Sequence, residues 1–370
     1  MVDCGCCCCV PSFAQLEAEG MIGRLGAAAL VITAAVALAG AAGGRASPAA
    51  RIPSRAPRIA HGVSLLTYNV KGLPWPVAGG RVAALQSIAA TLRSMHLRGD
   101  APDIAVVQEA FTEGAREMIR ASGYRYAALG PGTDSTTEGR PSTDERVFAD
   151  AARWSVGETE GKFVGSGLAI MSDYPILRVR SMTFPHYDCA GYDCLAAKGA
   201  MIATIATPDA PGGIDVLTTH LNSRGASGVP AERADAAWKR QFAYLTAFIA
   251  RTHDERRPLI VAGDLNVGSV PARRLPMQAA VQRWTAQPVV RDALRQVAAT
   301  GGALDRDARW SLRRARDWQL HFDGADMALD AVRITTPFGR DASGSMLSDH
   351  VGYVATYRLR PITRSVTPTA

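Results

Sequence analysis

The chain has 370 residues, 47% of them hydrophobic and 6% aromatic, and a formal charge of +7. That length and apolar fraction suit a globular α/β protein of one large or two ordinary domains, and set aside a mainly unstructured chain. The basic balance favours anionic partners such as phosphoesters, nucleic acid or an acidic membrane surface, but an Arg-rich genome produces the same balance, so it singles out none of them.

Residues 1–46 read as processing sequence. Arg24 precedes the apolar run LGAAALVITAAVALAGAAGG, and small residues follow with a cleavage point after Ala46. That is the pattern of a secretory signal peptide, which predicts export to the periplasm or the medium. An uncleaved N-terminal anchor is the alternative, although Ala and Gly make the run weakly hydrophobic. Met1–Gly20 carries Asp3, Glu17 and Glu19, no positive charge, and the cluster CGCCCC, so a true start at Met21 is expected. The cluster lacks the repeated Cys-x₂-Cys spacing of a zinc site. Beyond it, the remaining cysteines are Cys189 and Cys194. A local disulfide and two free buried thiols both remain open.

Residues 47–61 are rich in Pro, Ala and Arg and read as a linker. One catalytic unit is expected over 62–360, with a tail at 361–370. Val63–Val70 reads as a strand ending in Asn69, followed by the loop Gly72-Leu-Pro-Trp-Pro. Over 81–98, Val82, Leu85, Ile88, Leu92 and Met95 recur at helical spacing. A second strand, 103–111, ends in Gln108-Glu109, and a short helix starts near Thr112. The polar stretch 130–162 shows no clear period and is expected to be a long loop, a flap beside the site. GSGLAIMSDYPI (165–176) reads as a strand. Residues 198–206 and 214–223 form an expected antiparallel pair, the second ending in His220 and Asn222. The longest helix is expected over 230–253, with Pro at its start. PLIVAGDLNVG (258–268) reads as a buried strand that stops at Gly263, with Asp264 and Asn266 on one face. Residues 270–320 look Arg-rich and mostly helical. A strand over 326–334 contains Asp330, and Asp349-His350 precedes a last strand within 346–360. Strands with interspersed helices and hairpins point to stacked sheets covered by helices.

The chain contains only three Asn, at 69, 222 and 266, and each follows a strand-like apolar run. Where codon bias depletes an amide so strongly, survivors at strand ends invite a chemical explanation. Several strands thus end in groups able to touch a metal or a phosphate: Asn69, Glu109, His220, Asp264 with Asn266, and Asp349 with His350. Hard oxygen donors such as Glu109, the Asn69 amide and Asp349 suit Mg²⁺, with carboxylates, waters and substrate phosphate filling its shell. No zinc-type Cys/His set, HExxH, P-loop or GxSxG motif is present, so those chemistries fall away.

Taken in order, YN, QE, GLAIMS, THLN, GDLN and SDH resemble the endonuclease/exonuclease/phosphatase superfamily of metal-dependent phosphohydrolases over about residues 63–358. The resemblance implies a four-layer α/β sandwich, two facing mixed β-sheets flanked by helices. It implies that Glu109 is the principal Mg²⁺ ligand (Mn²⁺ or Co²⁺ being alternatives), supported by Asn69, with Asp349 touching metal and water. By the same resemblance Asp264 activates the attacking water, Asn266 positions it, and His220 and His350 donate to phosphate oxygens. Asp330, in LDAV, would orient His350. DCLAAKGAMIATI (193–205) resembles a segment of secreted bacterial neutral sphingomyelinases, which would put Lys198, with Asn222 nearby, on the substrate. Those enzymes carry a long apolar hairpin between their LD and SDH motifs. Here 331–347 is short and offers only Phe338 and Leu347, so at most weak membrane-surface contact is expected, through a monomer. Trp75 and Trp154, in loops, are the better candidates for apolar substrate contact, whereas the tryptophans at 238, 284, 310 and 318 read as core. The expected function is an exported Mg²⁺-dependent phosphodiesterase acting on phospholipid head groups. The alternatives are a secreted nuclease using the Arg-rich 270–320 stretch, and a catalytically inactive binding module.

Overall fold

Short apolar runs dominate the chain, and each is long enough for one strand of a buried sheet. The computed structural model describes residues 62–137, 139–285 and 291–362. The expected N-terminal extension, signal segment and linker, and nearly all of the tail, lie outside these residues. The strands are β1 (Gly62–Asn69), β2 (Ile104–Gln108), β3 (Tyr126–Leu129), β4 (Ala169–Ser172), β5 (Ile176–Thr183), β6 (Gly199–Thr207), β7 (Ala210–His220), β8 (Leu259–Asp264), β9 (Arg291–Asp292), β10 (Asp317–Phe322), β11 (Met327–Phe338) and β12 (Gly352–Pro361). The helices are α1 (Arg81–Arg98), α2 (Glu113–Ala121), α3 (Thr143–Asp150), α4 (Ala231–Thr252), α5 (Pro271–Val281), α6 (Ala293–Ala299) and α7 (Arg306–Arg314).

The strands form two six-stranded sheets, ordered β11-β12-β1-β2-β4-β3 and β5-β6-β7-β8-β10-β9. Each sheet has one parallel pair at its centre, β1 with β2 and β7 with β8, flanked by antiparallel neighbours. The sheets face each other across one apolar layer that includes Leu65, Val106, Met201, Val216, Ile260 and Tyr353. On the outside of the first sheet, Leu66, Tyr68 and Val107 pack with Leu85, Ile88 and Leu92 of α1 and Met118 of α2. On the outside of the second, Leu217, Leu259 and Val261 pack with Trp238, Phe242, Leu245 and Ile249 of α4 and Met277 of α5. This is the expected four-layer sandwich. Central strands buried on both faces explain why β2 and β8 read as unbroken apolar runs. Polar cross-ties set the registry of the two sheets: Gln108 Nε2 donates to Thr218 Oγ1 at 3.0 Å, and Gln319 Nε2 to the Leu65 carbonyl at 3.1 Å.

Several local expectations change. Val82, counted in the apolar stripe of α1, is exposed, while Leu85, Ile88, Leu92 and Met95 are buried. The stretch 130–162 contains α3, begun by a capping box in which the Ser142 hydroxyl accepts from the Glu145 amide and the Glu145 carboxylate accepts from the Ser142 amide. The pattern 165–176 holds β4 and only the first residue of β5. Within the stretch expected to be mostly helical, residues 317–322 are β10, buried along its whole length. Trp238, Trp284 and Trp318 are core as expected, whereas Trp75 and Trp154 are 69% and 74% exposed.

Asp292 generates a test of stability. It caps α6, accepting from the Arg295 amide at 3.4 Å, and burial pushes its carboxyl up to about 6, partly opposed by Arg295. An acid raised in the folded state binds protons on folding, so its ionisation penalty is absent below the unfolded value and fully imposed above about pH 6. Asn also caps helices well. Asp292→Asn is therefore expected to stabilise the fold at pH 8 by on the order of 1 kcal/mol and to change little at pH 4, as read from thermal melts at both pH values.

Candidate active site

The central parallel pairs of both sheets end on the same side, and their registers align the polar residues. Asn69 pairs with Gln108, next to Glu109, and His220 pairs with Asp264. β10 runs antiparallel to β8, so its first residue, Asp317, lies beside Asp264. β7 approaches β8 so closely that a Cβ at Gly263 would lie 2.4 Å from the Thr219 carbonyl oxygen, and Gly263 has φ of 153°. Only glycine meets that space and conformation. Four non-glycine residues among the described ones adopt left-handed backbone, Lys71, Glu109, Asn266 and Ala315, and two of them, Glu109 at φ 58° and Asn266 at φ 48°, are expected site residues. Such conformations cost about 1–3 kcal/mol each and persist where surrounding structure holds them.

Asp264 is the hub. Its side chain is 2% exposed. Asn69 Nδ2 donates to Glu109 Oε1 at 2.8 Å and to Asp264 Oδ2 at 3.2 Å, joining the two sheets. The Asn266 amide donates to Asp264 Oδ1 at 3.0 Å, while the Asn266 side chain donates to the Leu221 carbonyl at 3.0 Å. His220 Nε2 lies 3.6 Å from Asp264 Oδ2 and 3.9 Å from Glu109 Oε1. His350 Nε2 lies 3.7 Å from the same Asp264 oxygen. Lys198 Nζ, buried, lies 3.2 Å from both His220 Nε2 and the Leu221 carbonyl, and pairs with Asp193. The disulfide Cys189–Cys194 closes the loop that carries Asp193, which resolves the open cysteine question.

Charge follows from these contacts. Burial works against an ionised Asp264, yet His350, His220 and Lys198 together hold its carboxyl below the usual range. Burial also opposes a charged His350, but the Asp317 and Asp264 carboxylates raise it to about 9. His220 is pushed down to about 3 by burial and by the Lys198 ammonium. One histidine is thus a cation and the other a neutral ring. Burial pushes the Glu109 carboxyl up, against the Asn69 amide and the nearby Lys198 and His350.

A buried carboxylate whose ionisation burial opposes is a natural seat for a cation. Donor atoms of Glu109, His220 and Asp264 lie within 4.8 Å of one another, as do those of Asp264, Asp317 and His350. The carboxylate oxygens of Glu109 and Asp264 fit a divalent ion of the magnesium type, whereas Asn69, expected to support the metal, turns its Nδ2 donor to them and its side-chain carbonyl to the Lys71 amide. The residues present therefore fit the metal implied by the sequence.

Sequence expectations change at Asp330, Asp349 and Asn222, and also at Asn266, whose side chain donates to the Leu221 carbonyl at 3.0 Å instead of facing a water, while its backbone amide holds Asp264. Asp330 does not orient His350: its carboxylate, on β11, takes Arg360 Nε at 2.7 Å and lies 3.7 Å from Arg291 Nη1. Asp317 fills that place, both of its oxygens lying 2.9 Å from His350 Nδ1. Asp349 lies outside both donor clusters; its half-exposed carboxylate is 3.7 Å from Lys71 Nζ. Asn222 turns its side chain to backbone, accepting from the Ala190 amide at 2.9 Å and donating to the Ser223 carbonyl at 2.9 Å, so it braces the disulfide loop instead of facing substrate. The signal for Asp317 was legible: DWQLHF alternates polar and apolar residues over six positions, as a strand does. Asp193 carried a weaker signal, as an acid five residues before Lys198.

By the same contacts, His350 is expected to titrate near pH 9 in NMR spectra of its imidazole. Asp317→Asn removes an adjacent anion and lowers that value by roughly a unit or more, whereas Asp330→Asn leaves it in place.

The family model of the endonuclease/exonuclease/phosphatase family matches residues 66–350. No curated protein matches the chain in sequence. Among solved structures, the chain is similar to sphingomyelinase C from Streptomyces griseocarneus, with 22% identity, a TM-score of 0.55, and coverage of 80% of this chain and 99% of that one. A beta toxin double mutant from Staphylococcus aureus with bound magnesium ions gives 17% identity, a TM-score of 0.53, and coverage of 80% and 99%. An endonuclease/exonuclease/phosphatase from Beutenbergia cavernae gives 20% identity, a TM-score of 0.51, and coverage of 81% and 72%. At these identities the structures speak for the fold, and the family match speaks for the chemistry. The chain belongs to the endonuclease/exonuclease/phosphatase family of metal-dependent phosphohydrolases.

Proposed function

We propose that residues 62–360 form an exported, Mg²⁺-dependent phosphodiesterase that acts on phospholipid head groups in the manner of a sphingomyelinase. The observation that carries the lipid reading is the set of exposed apolar side chains on loops that leave the sheets at their catalytic end. The loops 70–80, 130–168 and 184–198 leave the strands at the end where Asn69, Glu109 and Lys198 lie. They expose Trp75, Val77, Trp154, Phe163 and Tyr192. Aromatic rings with a polar edge suit a lipid–water boundary. The short 331–347 segment contributes little, because Phe338 is buried and stacked on Tyr68 at 4.9 Å and Leu347 packs against the core. The likeness to a sphingomyelinase C supports the same reading. In the 270–320 stretch that a nuclease would use, Arg273, Arg291 and Arg295 are committed to Asp235, Asp323 and Asp292. The Cys189–Cys194 disulfide supports an oxidising compartment and therefore export. The oxygen-rich Glu109 cluster, together with the magnesium-bound beta toxin, favours Mg²⁺ over Mn²⁺ or Co²⁺.

In this mechanism Glu109 would hold the cation, which would supply a Lewis acid for a phosphoryl oxygen, while Asn69, donating to Glu109 and Asp264, fixes the orientation of both carboxylates. Asp264, kept ionised, accepts a hydrogen bond from the attacking water and takes its proton as the new P–O bond forms and the P–O bond to the alcohol opposite breaks, the leaving oxygen carrying off the bonding pair and taking a proton from solvent. Asn266 and Asn69 fix the plane of that carboxylate. His350, kept protonated by Asp317, donates through Nε2 to a phosphate oxygen as charge builds there. Lys198, held by Asp193, adds positive charge beside His220. Each donor is in place before substrate arrives, which is how buried dipoles lower a barrier most effectively.

The test is a panel of purified protein and Mg²⁺ with sphingomyelin vesicles, plasmid DNA and a soluble aryl phosphodiester. Hydrolysis of sphingomyelin and of the soluble diester is expected; cleavage of DNA without lipid would overturn the lipid reading. Glu109→Gln is expected to weaken Mg²⁺ binding in calorimetry and to reduce kcat/KM at least about 100-fold. On the alkaline side, kcat/KM is expected to fall as His350 loses its proton near pH 9, and Asp317→Asn moves that limb to lower pH.

A further inference from the structure

β7 and β8 are parallel neighbours that end alike: His220-Leu221-Asn222 and Asp264-Leu265-Asn266. In both, the first residue lies in the site and the Leu is buried in the helix-side core. The matching carbonyls of the two Asn residues converge on one atom. Arg273 Nη1, from the first turn of α5, donates to the Asn222 carbonyl at 2.8 Å and to the Asn266 carbonyl at 2.7 Å. Its Nε donates to Asp235 Oδ1 of α4 at 2.6 Å, and the guanidinium lies 5.6 Å from the Trp238 ring. Arg273 is fully buried.

We propose that Arg273 is a positioning residue for hydrolysis: it clamps the two post-strand turns and so sets the spacing between His220 on one and Asp264 with Asn266 on the other. The inference rests on the catalytic reading above. Three features carry it. Asn266 holds a left-handed backbone, and the Arg273 bond to its carbonyl is one of the contacts that keep it there. Leu221 links the same turns, since its amide donates to the Asp264 carbonyl at 3.2 Å and its carbonyl accepts from the Asn266 side chain. A buried ion pair adds little net stability compared with apolar packing, but its directional bonds fix geometry. A planar fork can hold Asp235 and two carbonyls at once, whereas an ammonium is a single point of charge.

The test compares wild type, Arg273→Lys and Asp235→Asn, each checked for a native circular dichroism spectrum and a cooperative melt. The soluble aryl phosphodiester with Mg²⁺ reports kcat and KM, calorimetry reports Mg²⁺ affinity, and hydrogen exchange reports the turns. Arg273→Lys is expected to lower kcat about 10- to 100-fold while KM stays within about twofold and Mg²⁺ affinity falls by less than kcat, because Glu109 stands on the other sheet whereas His220 and Asp264 stand on the clamped turns. Amides of Leu221, Leu265 and Asn266 exchange about tenfold faster or more in the variant, and those of residues 104–108 do not change. Asp235→Asn gives the same pattern with a smaller amplitude, and serves if Arg273→Lys does not fold. Unchanged kcat in a folded variant, or exchange that rises equally across both sheets, would overturn the clamp. If wild type hydrolyses no diester, the proposed function fails, and the exchange comparison still decides whether Arg273 holds the turns.

Discussion

The carboxylate of Asp264 sits where the two sheets meet, almost out of contact with water. A lone carboxylate there would protonate, and burial does push in that direction. It stays ionised because cations and donors from both sheets converge on it: the Asn69 amide from β1, His350 from the loop before β12, and His220 with Lys198 from the β7 and β6 ends. That requirement ties the architecture together. Any shift of one sheet across the other would separate Asn69 from Asp264, and the cross-sheet bonds of Gln108 and Gln319 oppose such a shift. The site depends on the sandwich, and the registry of the sandwich is sealed at the site.

The two histidines differ for the same reason. His350 has Asp317 behind it and Asp264 in front, so it keeps its proton. His220 faces Lys198 and has no partner on its buried Nδ1, so it is neutral. Equivalent residues in the motif list thus do unequal electrostatic work. A ring that stays charged up to about pH 9 can donate to developing negative charge, whereas a neutral ring beside an ammonium serves as its acceptor.

Strand ends were the legible part of this chain. The apolar runs before Glu109 and Asp264 are unbroken, those before Asn69 and His220 are interrupted only by Ser, Thr and one Asp, and all four stop at polar residues, so both the strands and their functional termini could be read directly. The resemblance to a known family then supplied the pairing of roles. The reading of α3 failed because a short amphipathic helix inside a polar stretch leaves a weak period, although Ser142 and Glu145 spelled out its cap. The reading of β10 failed because Arg-rich helices surround it and mask six alternating residues. With β10 missed, its first residue Asp317 was missed as well, and the orienting role went to Asp330, a carboxylate in a plausible motif that turns to Arg360 instead.

Sequence by itself determined the inventory: which strands exist, which chemical groups stand at their ends, and that these groups suit metal-assisted attack on phosphorus. Those properties are local, set by side-chain period and residue type. Tertiary structure alone decided which carboxylate backs His350, that Asn222 braces a loop, that Asp349 faces Lys71, and that one buried guanidinium spans two turns. Each of these depends on the register between strands far apart in the chain and on the direction a side chain takes once packed, and neither quantity is encoded at a single position.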